Sequence, residues 1–198
     1  MKSQQVWWEK TVEYKFVLDA ERKRGLQFAA PLSGVHERAG DGVFSSDSKI
    51  ALVEFKRSEA ELETERDKFA DYEEASELLM AKDGHHFLVY GSYFDPELRL
   101  NACTYFSRNT VASPLDLLNF GLESVKFNEY LADLLALKKV DGRSSGTVAP
   151  ESVASVIGVT REGVSATSLS EYIRIAMPYL YQAPTPSQTY QPPTPGYG

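Results

Sequence analysis

Eight residues, Lys49 to Lys56 (KIALVEFK), constrain this chain more than any other stretch. Ile50-Ala51-Leu52-Val53 reads as a buried strand that runs straight into Glu54-Phe55-Lys56. Side chains alternate along a strand, so Glu54 and Lys56 share one face and Phe55 takes the other. Upstream, Gly40 to Phe44 reads as a second strand, and Ser45 to Ser48 supplies turn residues. A two-residue turn centred on Asp47-Ser48 would set Asp41 directly across from Glu54, with Cβ atoms roughly 4.5–5.5 Å apart. Two carboxylates and an ammonium then converge at one strand end, the composition of a divalent-metal site with a lysine beside it.

Hard oxygen ligands favour Mg²⁺ or Mn²⁺, and Mg²⁺ typically takes only one or two protein carboxylates. Such an ion activates water and steadies charge on phosphoryl oxygens, so the chemistry this set suits is phosphodiester hydrolysis. Lys56 beside it would position or deprotonate the attacking water, or stabilise developing negative charge.

The arrangement resembles the PD-(D/E)XK nuclease superfamily, in which an acidic residue on one strand and an acidic-x-Lys pair on the next bind the metal. Asp41 matches the first position; Glu54 and Lys56 match the second and third. Gly40 stands where the family usually has proline. The resemblance covers about residues 5–106. It implies a restriction-endonuclease-like αβββαβ core with a mixed sheet and a Mg²⁺- or Mn²⁺-dependent nuclease acting on DNA ahead of RNA. It also implies the Phe55 backbone carbonyl as a further metal ligand and a first-helix glutamate, Glu13 or Glu9, as an assisting carboxylate.

The pattern along the chain gives the same order. Val6 to Arg22 reads as a helix on which Glu9 and Glu13 share a stripe with Val6, Phe16 and Val17. A connection at 25–34 leads to a short strand at 35–38, then to strands 41–46 and 49–56. Ser58 and Glu61 have capping-box spacing and open a helix over 59–82, closed by Asp83-Gly84. Strands follow at 86–90 and 98–106. The expected organisation is thus an α/β nuclease-like core over 1–112 and a helical extension over 113–182 packed on it. The extension holds helices at 115–139, bent near Gly121, and at 168–177, capped by Ser168 or Ser170. The residues from 183 to 198 (APTPSQTYQPPTPGYG) are low in complexity and read as a disordered, polyproline-like tail.

With 28 acidic against 21 basic residues the chain carries a formal charge of −7 and gives nucleic acid no general electrostatic attraction. Local basic groups, Arg57 and the cluster Arg22, Lys23 and Arg24, are the candidate phosphate contacts, and a protein partner or a homodimer would help deliver substrate. The acids between Glu59 and Glu77 read as the solvated face of a long helix. A single cysteine, Cys103, excludes an intrachain disulfide and suits a reducing cytoplasm. No apolar run approaches membrane-spanning length. Trp7-Trp8 reads as a packing anchor; His36, His85, His86 and Cys103 read as structural. The alternative to a nuclease is the same fold without catalysis, a partner or nucleic-acid-binding subunit of a larger assembly.

Overall fold

The computed structural model describes residues 7–24, 26–29, 47–94, 97–140, 143–144, 154–161 and 163–180. The expected strands at 35–38 and 41–46, His36, Asp41 and the Pro-rich tail lie outside them. The described elements are α1 (Glu9–Arg24), β1 (Leu26–Ala29), β2 (Lys49–Lys56), α2 (Tyr72–Leu79), β3 (His86–Phe94), β4 (Glu97–Thr104) and β5 (Thr110–Val111). They continue with α3 (Ser124–Leu137), β6 (Lys139–Val140), β7 (Arg143–Ser144), β8 (Ala154–Val159), β9 (Val164–Ser168) and α4 (Leu169–Ala176). Three 3₁₀ segments matter for packing: Glu59–Lys68, Met80–Lys82 and Pro114–Asn119. None of the described helices is long and apolar enough to cross a membrane.

This is an α/β structure built on one mixed sheet of seven strands in the order β1-β9-β8-β2-β3-β4-β5; β6 and β7 form a separate ribbon. β2 sits at its centre, parallel to β3 and antiparallel to β8. Every residue from Ile50 to Lys56 is buried, the pattern of a strand covered on both faces. Alternation divides its side chains between two cores. Ile50 and Leu52 join residues of α2, α3 and α4; Ala51, Val53 and Phe55 join Val12, Phe16 and Ala20 of α1 and the leucines of 114–119. The spacing 12, 16, 20 is one stripe of a helix, and it lays α1 across the Phe55 side of the sheet, where Phe16 meets Phe55 at 5.7 Å between ring centroids.

Four expectations need correction. Glu54 is flanked on both edges, by Leu88 of β3 and Ala154 of β8, so no edge is left for the expected hairpin pairing with residue 41. The region from 113 to 182 is more than a helical extension: β8 and β9 lie inside the main sheet. The single helix expected over 59–82 is a ten-residue 3₁₀ segment, a break at Phe69–Asp71, and α2, whose first turn Asp71 caps by accepting from the Glu74 N–H at 3.0 Å. At the opening of that region Ser58 makes no side-chain cap; instead Glu61 accepts from the Arg57 N–H at 3.2 Å. The expected helix 115–139 likewise divides at 120–123, where Leu122 bridges Ile50. A Cβ on Gly121 would meet the backbone of Lys49 and Ile50 at 2.8–2.9 Å, so glycine permits that approach. The strand Lys49–Lys56 and the Ser168-capped helix α4 stand as expected.

Candidate functional site

Glu54 and Lys56 project from β2 into the core that α2, α3 and the 3₁₀ segment Glu59–Lys68 complete. Both are buried, at 4% and 8% exposure. A buried carboxylate is costly unless paired, and Glu54 is paired on both oxygens. Its Oε1 accepts from Lys138 Nζ at 2.7 Å, its Oε2 from Lys68 Nζ at 2.7 Å, and His86 Nε2 stands 3.5 Å from Oε1. Burial opposes ionisation of Glu54, but the Lys138 and Lys68 ammoniums outweigh it and hold the carboxyl well below its usual range.

The second carboxylate is Glu65, which is fully buried. Its Oε1 contacts both Lys56 Nζ and Lys68 Nζ, the latter at 2.8 Å, and its Oε2 accepts from the Tyr105 hydroxyl at 2.6 Å. Lys56 also donates to Thr64 Oγ1 at 3.4 Å. Tyr105 stacks on His86 with ring centroids 3.9 Å apart, and His86 Nδ1 bonds the Tyr130 hydroxyl at 2.8 Å. Burial, reinforced by Glu54 and Glu65, pushes the Tyr105 phenol well above its usual range, so it remains a donor. Burial likewise pulls His86 down to about 4 and His85 down to about 3, leaving both neutral near pH 7. Two carboxylates and three ammoniums therefore form one buried network.

The reason Lys68 joins Glu65 is the winding of their segment. A 3₁₀ helix has three residues per turn, so Leu62, Glu65 and Lys68 fall on one stripe, and that stripe meets the sheet. At α-helical spacing Glu65 would still neighbour Leu62 and Phe69, so the winding matters chiefly for Lys68, and Glu65 is hidden in the sequence only by the run of acids around it. Lys68 and Lys138 were also missed; Lys138 arrives from the end of α3, a contact 84 residues from Glu54 in sequence.

The other candidates fall as follows. Of the two helix glutamates, Glu9 is the one within electrostatic reach of the network: burial raises its carboxyl pKa, while Lys56 and Lys68 pull it down and Glu65 and Glu61 push it up. Glu13 pairs with Lys10 at 2.5 Å. The Phe55 side chain is buried on the α1 side. Leu52 donates to the His85 carbonyl on the β3 side, so alternation directs the Phe55 carbonyl to the opposite edge, where described β8 ends at Ala154. Arg57 pairs with Glu61, and its carbonyl accepts the Trp7 indole N–H at 2.7 Å. Arg22, Lys23 and Arg24 occupy the last turn of α1, roughly 20 Å along the helix from Glu9 at 1.5 Å per residue. Arg24 pairs there with Asp116 at 3.5 Å. They do not join the network. Trp7 packs against Tyr93, but Trp8 is 74% exposed, which overturns its reading as a packing anchor. Cys103 is buried with its thiol pKa raised by burial.

Among the described residues no group of three or more His, Cys, Asp or Glu is arranged to hold a metal ion. The donors present are nevertheless of the kind a hard divalent ion takes: Glu54 and Glu65 are both carboxylates, and both converge on one cationic nitrogen, Lys68 Nζ. Comparison with known proteins gives no match: no family model fits the chain, and no curated protein or solved structure is recognisably similar to it.

Proposed function

We propose that this chain is a metal-dependent nuclease built on a variant of the restriction-endonuclease-like fold. The observation that supports this reading is the placing of Glu54 and Lys56 on one face of a central buried strand, with a second buried carboxylate, Glu65, against the lysine. A helix of α1 type on one sheet face and a parallel β2–β3 crossover are compatible with the expected core. Mg²⁺ or Mn²⁺, when bound, would supply charge stabilisation at the phosphoryl group and a more acidic water. The chain's own residues do the rest. Glu65 and Thr64 fix the Lys56 ammonium, so it offers an oriented donor to a phosphate oxygen or to the attacking water. Tyr105 holds Glu65 in place by donating to its Oε2, without adding charge. Glu9, whose burial favours the protonated form, is suited to passing a proton within electrostatic reach of Lys56 and Lys68. Asp41 is the further carboxylate of the reading, and Arg57 the nearest phosphate contact in sequence.

Cleavage of labelled single- and double-stranded DNA and RNA with Mg²⁺ or Mn²⁺ tests this directly. The expected result is cleavage by the wild type, abolished by EDTA and lost in Lys56→Ala and Asp41→Ala proteins shown to be folded. No cleavage of any substrate would refute it. One observation favours a second reading: both Glu54 oxygens are already satisfied by lysines, as in a purely structural ion-pair network. A folded wild type that binds nucleic acid without cutting it would support that non-catalytic module.

A further inference from the structure

β4 is eight residues long, but β5 pairs with only Ala102 and Cys103 of them. The Tyr105 N–H donates to the His86 carbonyl at 2.8 Å, and the β3–β4 register runs unbroken down to Glu97. Antiparallel hydrogen bonds alternate, so Cys103, Asn101, Arg99 and Glu97 turn their backbone groups towards β3. Thr104, Ala102, Leu100 and Leu98 turn theirs outward, as the Thr104 N–H shows by donating to the Asn109 carbonyl at 3.0 Å. The outward groups of Leu100 and Leu98 have no strand partner among the described residues. A groove of about 220 Å³ lies in the corner that they form with Ser113, Pro114 and the Lys15–Lys23 flank of α1. Backbone donors and acceptors in register along an open edge are a template for one more strand.

We propose that this strand is β4 of a second copy of the chain, paired antiparallel about Leu98 so that Glu97 of each copy faces Arg99 of the other. The sequence of the edge selects that occupant. With the pair centred on Leu98, the two Leu98 residues exchange N–H···O bonds, and the Glu97–Arg99 pairs fall at the closer, non-hydrogen-bonded positions. Moving the centre by one residue sets Arg99 against Arg99, or Glu97 against Glu97, with like charges directly opposite. The edge is therefore complementary to itself in one register. Both charged residues are exposed and neither is ion-paired among the described residues; Arg99 lies over the Phe94 ring at 3.5 Å. β2 accompanies β3 only as far as Tyr90, so the ribbon bearing this edge reaches past the central strand, and Phe94 on the same face is 55% exposed. A two-fold pair of this kind closes on itself and leaves no edge for further addition.

Sedimentation equilibrium of the full chain over a range of concentrations tests the proposal. The expected result is a reversible monomer–dimer equilibrium. Leu98→Pro deletes an N–H that points away from β3, which an edge strand tolerates, and should abolish the dimer. Arg99→Glu and Glu97→Arg each set like charges opposite one another twice per dimer and should each weaken association about tenfold or more. Mixed in equal amounts, those two variants should recover association as a heterodimer, and the Glu97→Arg, Arg99→Glu double variant should recover it with itself. Circular dichroism checks that each variant is folded. A chain that is monomeric at every concentration overturns the proposal and leaves the edge to an extended segment of another protein. So does a dimer indifferent to all of these variants, or a mixture of the two single variants that associates no better than either alone.

Discussion

Acidification from pH 6.5 to 5 is predicted to destabilise this fold by about 3 kcal/mol, through two adjacent histidines that it keeps neutral. His85 and His86 are each at most 2% exposed, and burial lowers them from 6.5 to about 3 and about 4. The unfolded chain protonates both as pH falls through 6.5, while the folded chain takes up almost no proton until His86 titrates near 4. Stability is therefore full above pH 6.5 and declines as pH drops. Near pH 5.5 the unfolded state holds almost two more protons, a slope of about 2.5 kcal/mol per pH unit. Unfolded carboxylates titrate lower, around 4.5, and the one opposing contribution among the described residues is Glu9, whose carboxyl burial raises on folding and which therefore offsets a little of the loss at the acidic end of the window. Glu54, depressed well below 4.5 when folded, adds its own loss only under more acidic conditions. Urea denaturation at half-unit pH steps measures the slope, provided the m-value stays constant. His85→Phe, which keeps a ring against Tyr130 and Phe127, should halve the slope to about 1.2 kcal/mol per unit. A wild-type midpoint that does not move between pH 6.5 and 5 would refute the reasoning. So would a variant lacking both histidines that keeps the full slope.

Other consequences follow from single contacts. Tyr105→Phe deletes a phenol that donates to buried Glu65 at 2.6 Å; a loss of about 1.5–3 kcal/mol is expected in chemical denaturation. Tyr130→Phe, whose partner is neutral His86, should lose only about 1 kcal/mol by the same assay. Glu54→Ala removes the carboxylate of buried Lys138 and leaves Lys68 only Glu65, and should destabilise by about 3–5 kcal/mol. A Glu54→Met, Lys138→Met double variant should regain part of that, and equal melting temperatures for single and double variants would contradict it. Ser168→Ala removes the hydroxyl that accepts from the Glu171 N–H at 3.2 Å and should lower stability by about 1 kcal/mol, seen as fraying of α4 in hydrogen exchange.

Some of this was readable from sequence, and for identifiable reasons. β2 was legible because its apolar run, its charged end and its turn residues all agree on one strand. Helix α4 was legible from its serine cap. Strands β8 and β9 were not read, although Ala154–Val159 and Val164–Ser168 are rich in β-branched residues and flank a short turn at 160–163, a usable hairpin signal. What no local pattern could supply was their destination, since β8 pairs with β2 across about a hundred residues of chain. The site was half legible. Glu54, Lys56 and Glu9 came from strand alternation and helix spacing. Glu65 shares a face with Leu62 and Phe69 at either winding and was lost among the neighbouring acids, Lys68 depends on a three-residue winding that composition does not announce, and Lys138 on the way α3 ends.

The hydrogen bond from the Trp7 indole to the carbonyl of Arg57 gives this protein an optical property. Trp7 and Trp8 are the only tryptophans of the chain, and one of them is fastened to the residue that follows Lys56. The ultraviolet emission of the unlabelled protein therefore originates beside the end of β2, with Trp7 stacked on Tyr93 and Trp8 open to water. Rearrangement at that strand end will shift or quench the emission, and collisional quenchers will sort the two indoles by accessibility. The molecule carries its own reporter, at the place where a signal is most wanted.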